Sequence, residues 1–369
     1  MKRLLNKKTR FETSIGIINL LVGIIYSIYL ITSNSLNGFR MFSTKLSGVI
    51  LLIISSILLI SYIVVKTLLK EKVSELIQRI FYLITFVILV ITILDVFAFG
   101  IIRSFIDAKN LKQRPTTNDP LRIRLAYLSM KNGKAILNGV WTTIWLSLAG
   151  TLVGLVLALL FITLRTLEVS DKDSEFVALL KKIGCGFVKV YVTVFRGTPM
   201  MVQAIIIFYF LPGILSNIFN VDQKVLNEIL SVGVAGFITV TLNTTAYLTE
   251  VLRGGIEALN KGQMEAARSL GMSRPKAMIY VILPQAIKNS LPSICNEFII
   301  NIKDTSVLSV IQVMDLFFVI DSINGRYANN DGIFIAAIIY LCLTLGISKL
   351  LGLIEKKMNL VSKPLPSSN

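Results

Sequence analysis

Apolar residues run along this chain in long blocks, not at the spacing of a surface helix or an alternating strand. About 20 consecutive apolar residues make a helix long enough to cross a bilayer. The blocks at 13–32, 46–65, 81–102, 139–164, 198–216, 229–250, 292–313 and 333–354 meet that length. The pattern predicts an all-α polytopic membrane protein with about eight transmembrane helices. The first block follows Lys2, Arg3, Lys7, Lys8 and Arg10. It is too long for the apolar part of a cleaved signal, and Thr32-Ser33-Asn34 offers no small-residue cleavage site, so it reads as a retained signal anchor.

The polar segments between the blocks set the orientation. With both termini inside, the cytoplasmic segments 1–12, 66–80, 165–196, 251–288 and 349–369 hold 25 of the 38 Lys and Arg residues. The external segments hold 12, eight of them in 103–137, and Lys303 falls inside a span. Cytoplasmic loops are the ones that retain Lys and Arg, so the count favours this topology. The exception, 103–137, carries Arg122, Arg124, Lys131 and Lys134 around Leu125, Tyr127 and Leu128, and is expected to lie along the headgroups. Its stretch Arg114-Pro115-Thr116-Thr117-Asn118-Asp119-Pro120 cannot be continuous helix.

Composition sharpens this picture by exclusion. Hydrophobic residues make up 54% of the 369 positions and charged residues 16%. A soluble domain carries roughly 25% charged residues, so too little polar surface exists here to face water on all sides. There is no histidine, which removes His-dependent triads and His-ligated metal sites. The three cysteines, Cys185, Cys295 and Cys342, are too widely spaced for a zinc ribbon or a disulfide framework. The net charge of +17 is spread between spans and forms no basic stripe with interleaved aromatics, so nucleic acid is not the expected partner.

The informative residues lie in the second half. In 251–291, a short helix over about Gly262–Leu270 should end at Gly271, which tolerates the left-handed conformation. Ser273 is placed to cap a second helix with Arg274-Pro275 in its first turn, and Pro284 should kink or end that helix. Ala266 and Ala267, flanked by Glu265 and Arg268, form a low ridge able to slot into a groove on another protein. Glu-Ala-Ala alone also suits an ordinary surface helix. With Gly262, Gln263, Leu270, Gly271 and Ile282-x-Pro284 at their spacings, however, the segment resembles the EAA loop of ABC-importer permeases.

Further blocks are similar to the polar amino-acid (histidine/glutamine/arginine-type) branch of that family. They are Arg196-Gly197-Thr198-Pro199, Ala246-Tyr247-x-x-Glu250, Arg253-Gly254-Gly255-Ile256, Leu283-Pro284-Gln285-Ala286 and Lys303-Asp304-Thr305-Ser306. The resemblance implies a five-span permease core over 135–355 with cytoplasmic coupling helices, preceded by a three-span extension with a basic linker (1–134) and followed by a cytoplasmic tail (356–369). It implies ATPase subunits docking on 251–291 and carrying ATP and Mg, a second permease subunit (identical or not), and an extracytoplasmic substrate-binding protein. The chain has no phosphate-binding G-x-x-x-x-G-K-[ST] of its own and is expected to be a transport subunit, not an enzyme, with no bound cofactor or metal. The rival expectations are a permease for another small solute, or an ATPase-independent channel.

Charges inside spans are costly and usually face a bundle interior or a water-filled path. At 100° per residue Glu297, Asn301 and Asp304 share a helix face, with Lys303 off it and Thr305 and Ser306 following; Asn243, Tyr247 and Glu250 form a second polar face. Both are expected to border a translocation path, with Glu297 and Asp304 favouring a cationic amino acid. The alternative is that Lys303 pairs with one of these carboxylates and only locks helices together. Arg196–Pro199 is expected to shape the helix entry into the fifth span, with Arg196 reaching the headgroups.

Overall fold

The computed structural model describes residues 100–357, apart from residues 112, 168 and 170–172, together with isolated positions between 24 and 90. The first three predicted spans lie almost wholly outside the described residues, as does the tail beyond residue 357. Two compact units are present, Met1–Lys131 and Asn132–Asn369. Every regular element among the described residues is helical. In chain order these are α1 (Gly100–Asn110), α2 (Leu121–Arg165), α3 (Glu175–Gly197), α4 (Met200–Phe219), α5 (Gln223–Ile229) and α6 (Val232–Glu257). Then come α7 (Gly262–Ser269), α8 (Arg274–Ala277), α9 (Leu283–Asp304), a 3₁₀ segment (Thr305–Ile311), α10 (Leu316–Tyr327) and α11 (Gly332–Lys357).

Four of these, α2, α4, α6 and the Gly332–Leu353 part of α11, are long and apolar enough to cross a bilayer. Arg274–Ile311 and Leu316–Tyr327, bent by 51° at their junction, make a fifth if taken together. They overlap the five core spans read from the sequence. The chain breaks over residues 111–120, as the two prolines require, and the Asp119 carboxylate accepts the Thr116 N–H at 2.7 Å in that turn. From Leu121 onward α2 is unbroken to Arg165, so Leu121–Leu137 belongs to the same helix as the span. No Pro follows Pro120 until Pro199, and nothing in the sequence stops the helix.

Three helices hold the second unit together in layers. Near one end Leu146, Ala204, Ile207, Ala235, Val240, Leu308, Ile311 and Val313 form an apolar cluster; near the other Ala158, Ile162, Leu248, Leu252 and Ile294 form a second. Between them the Asn301 amide donates to Thr151 Oγ1 and to Thr244 Oγ1, both at 2.9 Å, joining α2, α6 and α9 at one level. Gly150 and Gly154 let α2 approach α6 there: a Cβ at Gly150 would overlap the Val240 side chain, and one at Gly154 would press on Thr244 at 3.1 Å. Three buried threonines of α6 are satisfied within their own helix: Thr239, Thr245 and Thr249 each donate to the carbonyl four residues back at 2.7 Å.

Two segments read as polar connections are helices. Residues 165–196 contain α3, which packs on α2 and α6: Tyr191 donates to the Leu242 carbonyl at 2.6 Å and meets Phe161 edge-on at 4.9 Å. Residues 314–332 contain α10, capped by Asp315, whose carboxylate accepts the Phe318 N–H at 2.9 Å. Pro284 does not end its helix, which runs on from Arg274 to Ile311. It follows a π turn at Met278–Ile282, where the Leu283 N–H reaches back to Met278 O. Pro212 follows the same device, a π turn at Ile206–Phe210 with the Leu211 N–H on Ile206 O. A widened turn makes room for the ring, which would otherwise clash with the carbonyl four residues earlier.

Candidate functional site

The connection between α6 and α9 is built as a hinge. Asn260 Oδ1 accepts the Gly262 N–H at 2.8 Å and starts α7. At its other end Gly271 takes φ +84°, the Gly271 N–H donates to Arg268 O at 2.9 Å, and the Met272 N–H donates to Ala267 O at 3.2 Å. This pair of bonds is the Schellman closure, which needs a left-handed residue at that position. Ser273 has the extended backbone of a cap, but its side chain makes no capping bond to α8. Gln263 Oε1 accepts from Gln285 at 3.3 Å, fastening α7 to the start of α9.

The two alanines do not form one ridge. Successive helix residues are 100° apart, so Ala267 turns into the protein at 4% exposure while Ala266, Glu265, Arg268 and Leu270 face outward. Leu270 is 82% exposed. The outward face thus presents an apolar knob, Leu270, one step beyond a carboxylate and a guanidinium.

Deeper in the bundle the expected polar faces divide by role. Asn301 is buried and its amide is spent on Thr151 and Thr244. Asn243 donates to Gln203 Oε1 at 3.1 Å. Gln203, which the sequence reading missed, donates in turn to Phe195 O (2.9 Å), Thr198 O (3.0 Å) and Thr198 Oγ1 (2.9 Å). Pro199 has no N–H, and α3 ends at an extended Thr198, so these carbonyls have lost their helical donors. Gln203 replaces them. A lone amide in the run from Met200 to Leu215 was the signal for it.

Glu297 is different. It is buried at 8% exposure and makes no hydrogen bond or ion pair among the described residues. Ser290 Oγ donates to Val251 O and Asn301 to Thr244, which brackets Glu297 at the level of Tyr247 on α6. Lys303 and Asp304 are exposed at the end of α9, and no ion pair among the described residues joins Lys303 to Asp304 or Glu297. Thr305 is buried with its hydroxyl on Ile302 O at 3.1 Å, and Ser306 is half-buried; both belong to the 3₁₀ segment, so the 100° spacing ends at Asp304.

Glu250 sits one turn from Tyr247 toward the α7 end and gathers arginines from three places. Arg165 at the end of α2 pairs with its Oε1, Arg253 with its Oε2 at 2.8 Å, and Arg196 approaches Oε2 at 3.7 Å. Arg196 also lies over the Tyr247 ring, 5.4 Å from its centre. Together with Lys189, Val192, Thr193 and Gly197 these residues line a cleft of about 600 Å³. Arg196 therefore faces the interior of this cleft, and Gly197 lines it too.

With this geometry in view, the comparison with known proteins is direct. Residues 176–360, from α3 through α11, match the model of the binding-protein-dependent transport system inner membrane component family. The chain belongs to that family. It is 35% identical over 224 residues to a putative glutamine transport system permease protein GlnP of Rickettsia typhi, covering 60% of this chain and 92% of that one. It is 33% identical over 227 residues to the glutamine transport system permease protein GlnP of Escherichia coli K12, covering 61% and 94%. With the L-cystine transport system permease protein TcyB of Bacillus subtilis it shares 35% identity over 225 residues, covering 60% and 85%. The crystal structure of an amino acid ABC transporter with histidines matches 63% of this chain and 98% of its own, at 33% identity and a TM-score of 0.51. As a permease of this family the chain is a membrane-embedded transport subunit and not itself an enzyme; ATP hydrolysis belongs to separate subunits, and such systems work with an ATPase and a binding protein.

Proposed function

We propose that this permease forms, with a second permease subunit, the transmembrane path of an importer for polar amino acids. ATPase subunits carrying ATP and Mg dock on α7, and an extracytoplasmic binding protein delivers the solute. Both termini and the α7 hinge are cytoplasmic, in accord with the distribution of Lys and Arg. Residues 1–134 are an added membrane segment ahead of a transport core at 135–355, with a tail at 356–369. The three relatives carry glutamine or cystine in their names, and the related crystal structure was solved with histidines.

The observation that carries this reading is Glu297: a buried carboxylate with no hydrogen bond or ion pair among the described residues, its charged neighbours being Arg196 and Asp304, at the depth where α6 turns Tyr247 toward the cleft. Burying an ionised carboxylate costs several kcal/mol unless something compensates it. A solute's ammonium or cationic side chain supplies that compensation, and Asp304, a second acid nearby, strengthens the preference for a cation. Asn243 and Asn301 position helices beside the path. Nucleotide-driven approach of the docked subunits would move α7 and switch the path between its two openings, a rigid-body rearrangement.

The test is uptake into proteoliposomes holding the permease with its ATPase and binding protein. ATP-dependent entry of glutamine or arginine is expected. Glu297→Gln should depress arginine entry at least tenfold, about 1.4 kcal/mol, and glutamine entry less. Equal entry of both solutes in wild type and variant would remove Glu297 from the path; entry without ATPase would remove the importer reading.

A further inference from the structure

The cleft around Glu250 lies one helical turn closer to α7 than Glu297; Tyr247 and Glu250 border the proposed path, and no solute contact has yet been assigned there. One wall is a single face of α3, where Lys189, Thr193 and Arg196 follow at the i, i+4, i+7 spacing and Thr193 Oγ1 donates to Lys189 O at 2.8 Å. The other wall is Arg165, Tyr247 and Glu250. Three cations thus face one carboxylate. Arg253 does not change this excess, because it is shared with Glu257 at 2.5 Å. Lys189 is exposed and makes no ion pair among the described residues, and the Arg196 side chain is 43% exposed with its nearest carboxylate oxygen at 3.7 Å. The volume of about 600 Å³ falls within the roughly 300–1,000 Å³ of small-ligand sites.

A carboxylate offers about four acceptor positions, and Arg165 and Arg253 take one on each oxygen of Glu250. Acceptors remain for an ammonium, while Lys189 and Arg196 hold donors for an anion. A cationic wall facing a carboxylate, with an aromatic ring beside it, suits a zwitterion. We infer that this cleft is a second amino-acid subsite, in which the α-carboxylate of the solute rests on Arg196 and Lys189 and its ammonium on Glu250. The inference rests on the amino-acid reading above. It makes the passage toward α7 a transfer between two places: the solute leaves Glu297 and is received one turn further on.

Equilibrium binding of radiolabelled glutamine and arginine to the assembled transporter in phosphatidylcholine nanodiscs tests it. Wild type should bind two molecules of amino acid per permease chain, Glu297→Gln one, and Glu297→Gln combined with Lys189→Gln and Arg196→Gln none. Lys189→Gln alone, at an exposed position where folding is not at stake, should weaken the second site at least fivefold. Decarboxylated arginine (agmatine) should occupy one site only. A single site per chain in wild type that Glu297→Gln abolishes overturns the inference while leaving the transport reading intact. Loss of the second site when phosphatidylglycerol is added, or its displacement by inorganic phosphate with no amino-acid preference, would assign the cations to a headgroup or a free anion and overturn it too. Absence of binding in every sample overturns it as well, and ATP-driven uptake by the same preparation then shows whether the transport reading fails with it.

Discussion

Replacing Gln203 by Leu tests the joint between α3 and α4 where the structure is most explicit. The substitution keeps side-chain bulk and removes every polar atom. Two amide hydrogens then stop serving the Phe195 and Thr198 carbonyls and the Thr198 hydroxyl, and the Asn243 amide loses its acceptor. Two hydrogens shared among three acceptors, with the Asn243 bond, count as three hydrogen bonds of about 1 kcal/mol net each, so a loss of about 3 kcal/mol is expected. For a unit of this size each kcal/mol moves the melting point by roughly 2–4 °C, giving a fall of about 6–12 °C. Thermal unfolding of the purified permease in detergent, followed with a thiol-reactive dye that reports half-buried Cys185 and Cys295, measures it. Gln203→Glu should melt almost as early, since it restores the acceptor and not the donors. A Leu variant melting within 2 °C of wild type would refute the assignment of Gln203 as the substitute for the helical donors that Pro199 removes.

Three further outcomes follow from single residues. Ala328 ends α10 at φ 49°, a left-handed position that an L side chain occupies at a cost of about 1 kcal/mol, so Ala328→Gly should raise the melting point by roughly 2–4 °C. Gly271→Ala places a Cβ at φ +84° and should cost about 1 kcal/mol, and solute-stimulated ATPase activity of the complex should fall as the hinge distorts. Asn301→Leu deletes two buried hydrogen bonds and should destabilise the fold by about 2 kcal/mol, read from the same thermal transition.

How far the sequence could be read depended on which physical signal each element emits. Spans announce themselves by unbroken apolar length, and the core helices fall where those blocks are. Gly271 was legible because a left-handed closure leaves few choices of residue. The α3 helix was not, because Lys181, Lys182 and Lys189 interrupt its run. Its signature was periodic instead: Phe176, Leu180, Ile183, Phe187, Val190 and Val194 follow at alternating steps of four and three and are all exposed. In the same way α10 hides in a connection that looked polar, and it buries Leu316, Ile320 and Ile323. Among the site residues, the sequence could bring Glu297, Asn301 and Asp304 to one face but could not say that Asn301 would be consumed by two threonines from other helices. The partners of Glu250 were also beyond reach, since Arg165 lies 85 positions away in the chain.

The amide of Asn301 has one more implication. By clasping α2, α6 and α9 at mid-height, with oily packing above and below, it welds them into a tripod whose legs cannot slide separately. The stroke of this transporter is then expected to carry these three helices together.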